Sequence, residues 1–104
     1  MDVLLDIVRT CTQISSLNLR FVLEVTDEVV AAITKALPHL ELLDLGYDML
    51  VTSASLASLS ALPHLRELRL QELHQISPED LNAFRMRYPE CLIPDRDNDG
   101  GFDL

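Results

Sequence analysis

The chain has little glycine, little positive charge, few cysteines and no long hydrophobic run. Only three glycines occur in 104 residues, and two of them lie close to the C-terminus. That excludes a glycine-rich phosphate loop. There is also no Cys-x-x-Cys, no nucleophile elbow and no helix carrying paired metal ligands. These absences point away from an enzyme, and no cofactor is implied. Eight lysines and arginines face 17 acids, giving a formal charge of −9 and a pI near 4.5. Nucleic acid and anionic membrane surfaces both demand a basic patch, so neither is an expected partner. The uncharged run from Met49 to Pro63 is too short and too rich in Ser and Thr to span a bilayer. Asp2 and Asp6 interrupt the apolar N-terminal stretch, so no signal peptide is read there. Cys11 and Cys91 lie far apart in the chain. They are expected to be free structural thiols in a reducing compartment, cytoplasmic or nuclear.

What the chain does have is a rhyme. Ile14-Ser15-Ser16-Leu17-Asn18-Leu19 returns as Leu40-Glu41-Leu42-Leu43-Asp44-Leu45, and again as Leu65-Arg66-Glu67-Leu68-Arg69-Leu70. A period of about 26 residues signals stacked units that bury one another's apolar faces. The rhyme continues through Val25-Thr26, Val51-Thr52 and Ile76-Ser77. Then follow Val30, Leu56 and Leu81, and after them Ile33, Leu59 and Phe84. Each unit closes on Leu37-Pro38, Leu62-Pro63 or Tyr88-Pro89.

Two periodicities alternate within each unit. Leu-x-Leu puts both leucines on one face of a short strand. The spacing of three and then four, as in Val30, Ile33 and Leu37, marks one stripe of a helix. Ser77-Pro78-Glu79-Asp80 has an N-cap hydroxyl, a proline at the first helical position and acids in the first turn. Thr26-Asp27-Glu28 repeats the pattern without proline, and Thr52-Ser53 is a weaker version. The recurring prolines stop each helix and lead into the next strand. The spacing therefore predicts parallel strands near 16–20, 42–46 and 67–71, with helices over 27–36, 53–61 and 78–87.

The thrice-written L-x-x-L-x-L core resembles the leucine-rich repeat family. Leu37-Pro38-His39-Leu40, Tyr88-Pro89-Glu90-Cys91 and Val25-Thr26-Asp27 are similar to its cysteine-containing subtype, common in F-box substrate receptors. The mid-repeat Cys or Asn of that family is replaced here by Val22, Asp48 and Leu73. The resemblance covers roughly residues 2 to 93. It implies an α/β solenoid of about three β-α repeats of 25–26 residues, with strands on a concave face and helices on a convex one. It implies in turn a protein-binding module, the substrate-recognition segment of an F-box-type ubiquitin-ligase receptor or a fragment of one.

Residues 1–94 are read as one repeat array starting mid-repeat, and 95–104 as an acidic, disordered tail. Leu4, Ile7 and Cys11 match the helix half of a preceding unit. With Leu5 and Val8 they leave an open apolar end, at which self-association or stacking on another repeat protein is expected. Cys91-Leu92-Ile93 resembles a fourth, truncated strand.

Three groups of residues are candidate sites. On the concave face, equivalent positions stack Ser16 with Leu42 and Glu67, Asn18 with Asp44 and Arg69, and Arg20 with Gly46 and Gln71. Phe21 and Tyr47 lie just beyond. Aromatics and arginines on a rigid exposed surface anchor interfaces, which selects Arg20, Phe21, Leu42, Asp44, Tyr47 and Arg69 as partner-binding residues. The alternative for the same face is a solvated sheet with an Asp44–Arg69 charge pair. In the tail, Asp95, Asp97, Asp99 and Gly100 match the start of an EF-hand calcium loop, without the closing Glu or a following helix, so any calcium binding there is expected to be weak. Finally, His39, His64 and Glu90 occupy equivalent turns and include two zinc-ligand types, but repeat duplication alone explains them.

Overall fold

A computed structural model describes Asp6 and residues 10–94. Over residues 16–87, three short strands alternate with three helices: β1 Ser16–Asn18, α1 Asp27–Ala36, β2 Leu42–Asp44, α2 Ala54–Leu59, β3 Glu67–Arg69 and α3 Pro78–Arg87. The sheet is parallel and runs in the order β1-β2-β3. Its register sets Ser16 beside Leu42 and Glu67, Leu17 beside Leu43 and Leu68, and Asn18 beside Asp44 and Arg69. That is the alignment the rhyme predicts. α1 packs on α2 and α2 on α3, so both layers follow chain order, an arrangement compatible with repeated β-α units.

The core is the set of rhyming residues. Leu43, Leu45, Leu68 and Leu70 are fully buried, as are Val25, Val51, Val30, Ile33, Leu59 and Leu37. Leu19, Leu56, Leu62, Leu65, Ile76, Leu81 and Phe84 are buried with them. No unit holds enough of these side chains to exclude water alone, so the packing is shared between neighbours.

The strands are shorter than the spacing predicts, yet pairing persists beyond them. Leu19 N–H donates to the Asp44 carbonyl at 2.9 Å and Phe21 N–H to that of Gly46 at 3.0 Å. One unit on, Leu45 N–H reaches Arg69 O and Tyr47 N–H reaches Gln71 O, both at 2.9 Å. The ladder then ends because the backbone turns left-handed. Phe21, Tyr47 and Glu72 have φ of 66°, 66° and 64°.

The helix ends follow their caps. Thr26 Oγ1 accepts from Val29 N–H at 3.3 Å, and Ser77 Oγ from Asp80 N–H at 3.1 Å. Ser53 makes no cap bond to α2; its hydroxyl accepts from Ser77 N–H of the next unit at 2.9 Å. With no charged residue in either terminal turn, α2 spans 54–59 rather than 53–61. Leu92 N–H donates to Arg66 O at 2.8 Å and Leu92 O accepts from Leu68 N–H at 2.9 Å, so the fourth strand is a single parallel bridge. Cys91 packs against the core. Cys11 departs from expectation: it is exposed, whereas its counterpart Leu37 is fully buried with a described unit on either side. No helix among the described residues is long and apolar enough to cross a membrane. The open end at Leu4, Leu5, Ile7 and Val8 lies outside the described residues, as does the tail with Asp95, Asp97 and Asp99.

Candidate functional site

Strand residues between the leucines emerge on the sheet face. At the N-terminal ends of the strands, Leu42, Glu67 and Leu92 line a recess of about 290 Å3 with Glu41 and Arg66. Toward the C-terminal ends, the face becomes a compact ionic and aromatic cluster.

Arg20 organises that cluster. Its Nη1 donates to Asp44 Oδ2 at 3.3 Å in the second unit and to Gln71 Oε1 at 3.3 Å in the third. One guanidinium thus spans three units. A glycine between them makes this possible: a Cβ on Gly46 would stand 2.9 Å from Arg20 Nη1 and 3.1 Å from Asp44 Oδ1. Asp44 also accepts from Gly46 N–H at 2.8 Å. The expectation that these two columns are open to solvent is corrected at three positions. Asp44 is 6% exposed, Gln71 is 1% exposed and Gly46 is buried, because the Arg20 side chain crosses above Gly46 to reach its partners. Arg69 bonds Glu67 through Nε along its own strand.

Phe21 and Tyr47 stack at 4.4 Å between centroids and 14° between planes. The Arg20 guanidinium carbon lies 5.1 Å from the Tyr47 centroid and 5.8 Å from that of Phe21. A cation over aromatic faces and an offset stack each stabilise by about 1 kcal/mol. Phe21 nevertheless keeps 54% of its surface in water. Both rings sit on left-handed backbone, which costs a bulky residue about 1–3 kcal/mol. Leu42 and Arg69 are half-buried.

The sequence pattern did not reveal two features of this region. Leu23, Met49 and Leu50 are exposed a few residues after the rings in the chain, in the loops that lead to α1 and α2. They fall outside the leucine template, and their third-unit counterparts are His74 and Gln75. Apolar residues at off-template loop positions were the available signal. The second feature is Asp48. It is 0% exposed, and neither carboxylate oxygen has a hydrogen-bond partner. Burial pushes its pKa from 3.8 up to about 7, the negative charge of Asp44 adds to the rise, and the Val22 N–H opposes it.

His39, His64 and Glu90 are all exposed. Among the described residues, no three His, Cys, Asp or Glu side chains form a group able to hold a metal ion. No family model matches this chain, and no curated protein matches it in sequence.

Proposed function

We propose that this chain is a short leucine-rich repeat solenoid that works as a protein-binding module. In this reading it acts by recognition rather than catalysis, as the substrate-recognition segment of an F-box-type ubiquitin-ligase receptor in the cytoplasm or nucleus. The partner lies along the sheet face and the adjoining loops, with Phe21, Tyr47 and Arg69 as anchors. Arg20 and Asp44 brace the rings from below, and Leu42 extends the surface.

The observation that carries this reading is the Phe21–Tyr47 pair. Two stacked rings stand on left-handed backbone beyond the ends of the parallel strands, Tyr47 partly buried and Phe21 with 54% of its surface in water. A sequence selected for stability alone would place Gly or Asn at such φ values and keep its aromatics inside. Rigid aromatics lose little conformational entropy when a partner covers them. Exposed Leu23, Met49 and Leu50 add apolar surface in the loops that follow the rings.

The test is capture of a partner by the full chain, with the Phe21→Ala/Tyr47→Ala double variant beside the helix-face variants Glu28→Lys and Glu79→Lys. The double variant is expected to lose about 2 kcal/mol or more of binding, roughly thirtyfold in affinity, with its fold intact. Partner capture that depends on Glu28 or Glu79 and not on the rings would place the binding surface on the helices instead.

A further inference from the structure

One edge of the sheet lacks the charge that the rest of the chain carries freely. From Thr10 to Leu19, through β1 and the turn before it, no residue is charged. The equivalent stretches of the inner units carry Glu41 and Asp44, then Arg66, Glu67 and Arg69. Edge strands are ordinarily defended by charge or proline, because an open row of N–H and C=O groups invites another strand. Here the inner strands are charged and the outer one is not.

β1 is an open edge. It ends the sheet, with β2 on its one paired side. Ser15 O accepts from Leu42 N–H at 3.0 Å, Leu19 N–H donates to Asp44 O at 2.9 Å and Phe21 N–H to Gly46 O at 3.0 Å. The odd-numbered residues therefore face β2. Alternate residues of a parallel strand pair to opposite sides, so the even-numbered ones face outward. Arg20 N–H is taken by Asn18 Oδ1 at 2.9 Å. That leaves the N–H and C=O of Ser16 and of Asn18, and among the described residues nothing pairs with them. The side chains agree. Leu17 and Ile14 are half-buried, whereas their counterparts Leu43, Leu68 and Leu40 are fully buried. The opposite edge is closed by the chain itself. Leu92 pairs with β3, Arg85 Nη2 donates to Ile93 O at 3.0 Å, and Pro94 follows with no N–H to offer.

We propose that β1 is a self-association edge, where two copies of this chain join antiparallel about a two-fold axis at Leu17 to form one continuous sheet. The outward edges of identical strands match their hydrogen bonds symmetrically when antiparallel, and such a pairing closes at two copies. The strand is self-complementary in that register. Ser16 of one copy stands opposite Asn18 of the other, and each pair exchanges N–H and C=O, so every open group finds a partner. Leu17 of the two copies meets across the axis as a non-hydrogen-bonded pair, with Cα atoms about 4.5 Å apart and side chains close. Each Leu17 then gains the cover that Leu43 and Leu68 take from neighbouring units. No charged side chain stands in the way. The contact is separate from the one expected at Leu4, Leu5, Ile7 and Val8, and it does not depend on the reading of the rings. The formal charge of −9 on each copy opposes it, so association tightens as salt is added.

The test is sedimentation of the full chain from about 1 μM to about 1 mM, with amide exchange read by NMR toward both ends of that range. Wild type is expected to pass from monomer to dimer, with the Ser16 and Asn18 amides protected only in the dimer. Ser16→Pro removes one outward N–H, which an edge strand tolerates, and is expected to weaken association about tenfold or more. Ser16→Glu/Asn18→Lys keeps the net charge and sets opposite charges across the axis, so it is expected to associate a few times more tightly. A register with Ser16 opposite Ser16 would instead bring like charges together and weaken it. A monomer throughout the range overturns the proposal. So does a dimer whose Ser16 and Asn18 amides exchange freely, one that Ser16→Pro leaves intact, one that the charged pair weakens, or growth beyond two copies. If Ser16→Pro does not fold, the charged pair and the wild-type amides still decide. Every readout is made without a partner, so failure of the binding reading under Proposed function leaves these measurements standing.

Discussion

Asp27 and Asp48 belong to adjacent units and have opposite surroundings. Asp27 opens α1 and reaches into the next unit, where its carboxylate accepts from Thr52 N–H at 2.9 Å, from Thr52 Oγ1 at 2.6 Å and from the Ser55 hydroxyl. Burial pushes its pKa up, but the bonds from Ser55 and Thr52 outweigh that, and the net value lies below the ordinary 3.8. Asp48 has burial without the donors, and its pKa rises. The helix layer thus joins units one and two with a carboxylate whose charged form is favoured. The loop layer holds one whose neutral form is favoured by burial. Depth and donor supply act together: Asp48 is the more deeply buried and the poorer in donors, so the fold favours its neutral form, whereas the donors around the shallower Asp27 favour its charge.

The largest expected effect removes the layer on which both regions stand. Leu43 is fully buried between them, and Leu43→Ala is expected to cost roughly 2–5 kcal/mol. A chain of this size has little stability beyond that, so most molecules should be unfolded at ambient temperature. Denaturant unfolding beside the exposed-site control Asn82→Ala measures it. A midpoint equal to the control's would show that the leucine layer is not shared core.

Next in size is the helix-layer junction. Asp27→Ala leaves the donors of Thr52 and Ser55 without their acceptor and is expected to cost about 2 kcal/mol. It should also change the acid limb of the stability curve. The wild-type contribution from Asp27 is present above pH 3.8 and lost as pH falls through its depressed folded value. The variant should lack that loss, and urea melts at several acidic pH values would reveal it.

The loop layer has the reverse sign. Asp48→Asn is expected to be more stable than wild type above neutrality, by more than about 1 kcal/mol, with the gap closing as pH falls toward 4. Together the two aspartates place the wild-type optimum on the acidic side of neutrality, between the Asp27 and Asp48 transitions. An optimum above pH 7 in chemical denaturation would mean that Asp48 finds a donor or a cation in solution.

The sequence made the skeleton of this comparison legible and hid its chemistry. Spacing alone aligned Leu17, Leu43 and Leu68 and set the register, because a unit that cannot bury itself writes its needs periodically. The caps at Thr26 and Ser77 were equally plain, since a cap acts within one turn. The Phe21–Tyr47 pair could be found because both residues sit at one repeat position. Arg20 bonding Gln71 across two unit boundaries could not be found, because it depends on side-chain reach over Gly46. Asp48 was visible only as a departure at the mid-repeat position. Whether such a departure is solvated or buried depends on how tightly Val22 and Leu73 close around the loop, which spacing does not encode.

The smallest expected effect separates backbone strain from ring chemistry at three equivalent turns. Phe21, Tyr47 and Glu72 share a left-handed φ, yet only the first two carry rings. Glu72→Gly removes the strain at a turn whose side chain makes only an exposed pairing with His74. Relief of about 1 kcal/mol is partly offset by the freedom glycine gains when unfolded, so a gain of a few tenths of a kcal/mol is expected. Phe21→Gly removes the same strain together with the stack, and should lose about as much as it gains. If the rings are there for a partner, Phe21→Gly leaves thermal stability close to wild type while partner capture collapses, and Glu72→Gly leaves capture untouched. A drop in melting temperature for Phe21→Gly as large as that of Asp27→Ala would instead make the ring pair a structural staple, and its exposure would need another cause.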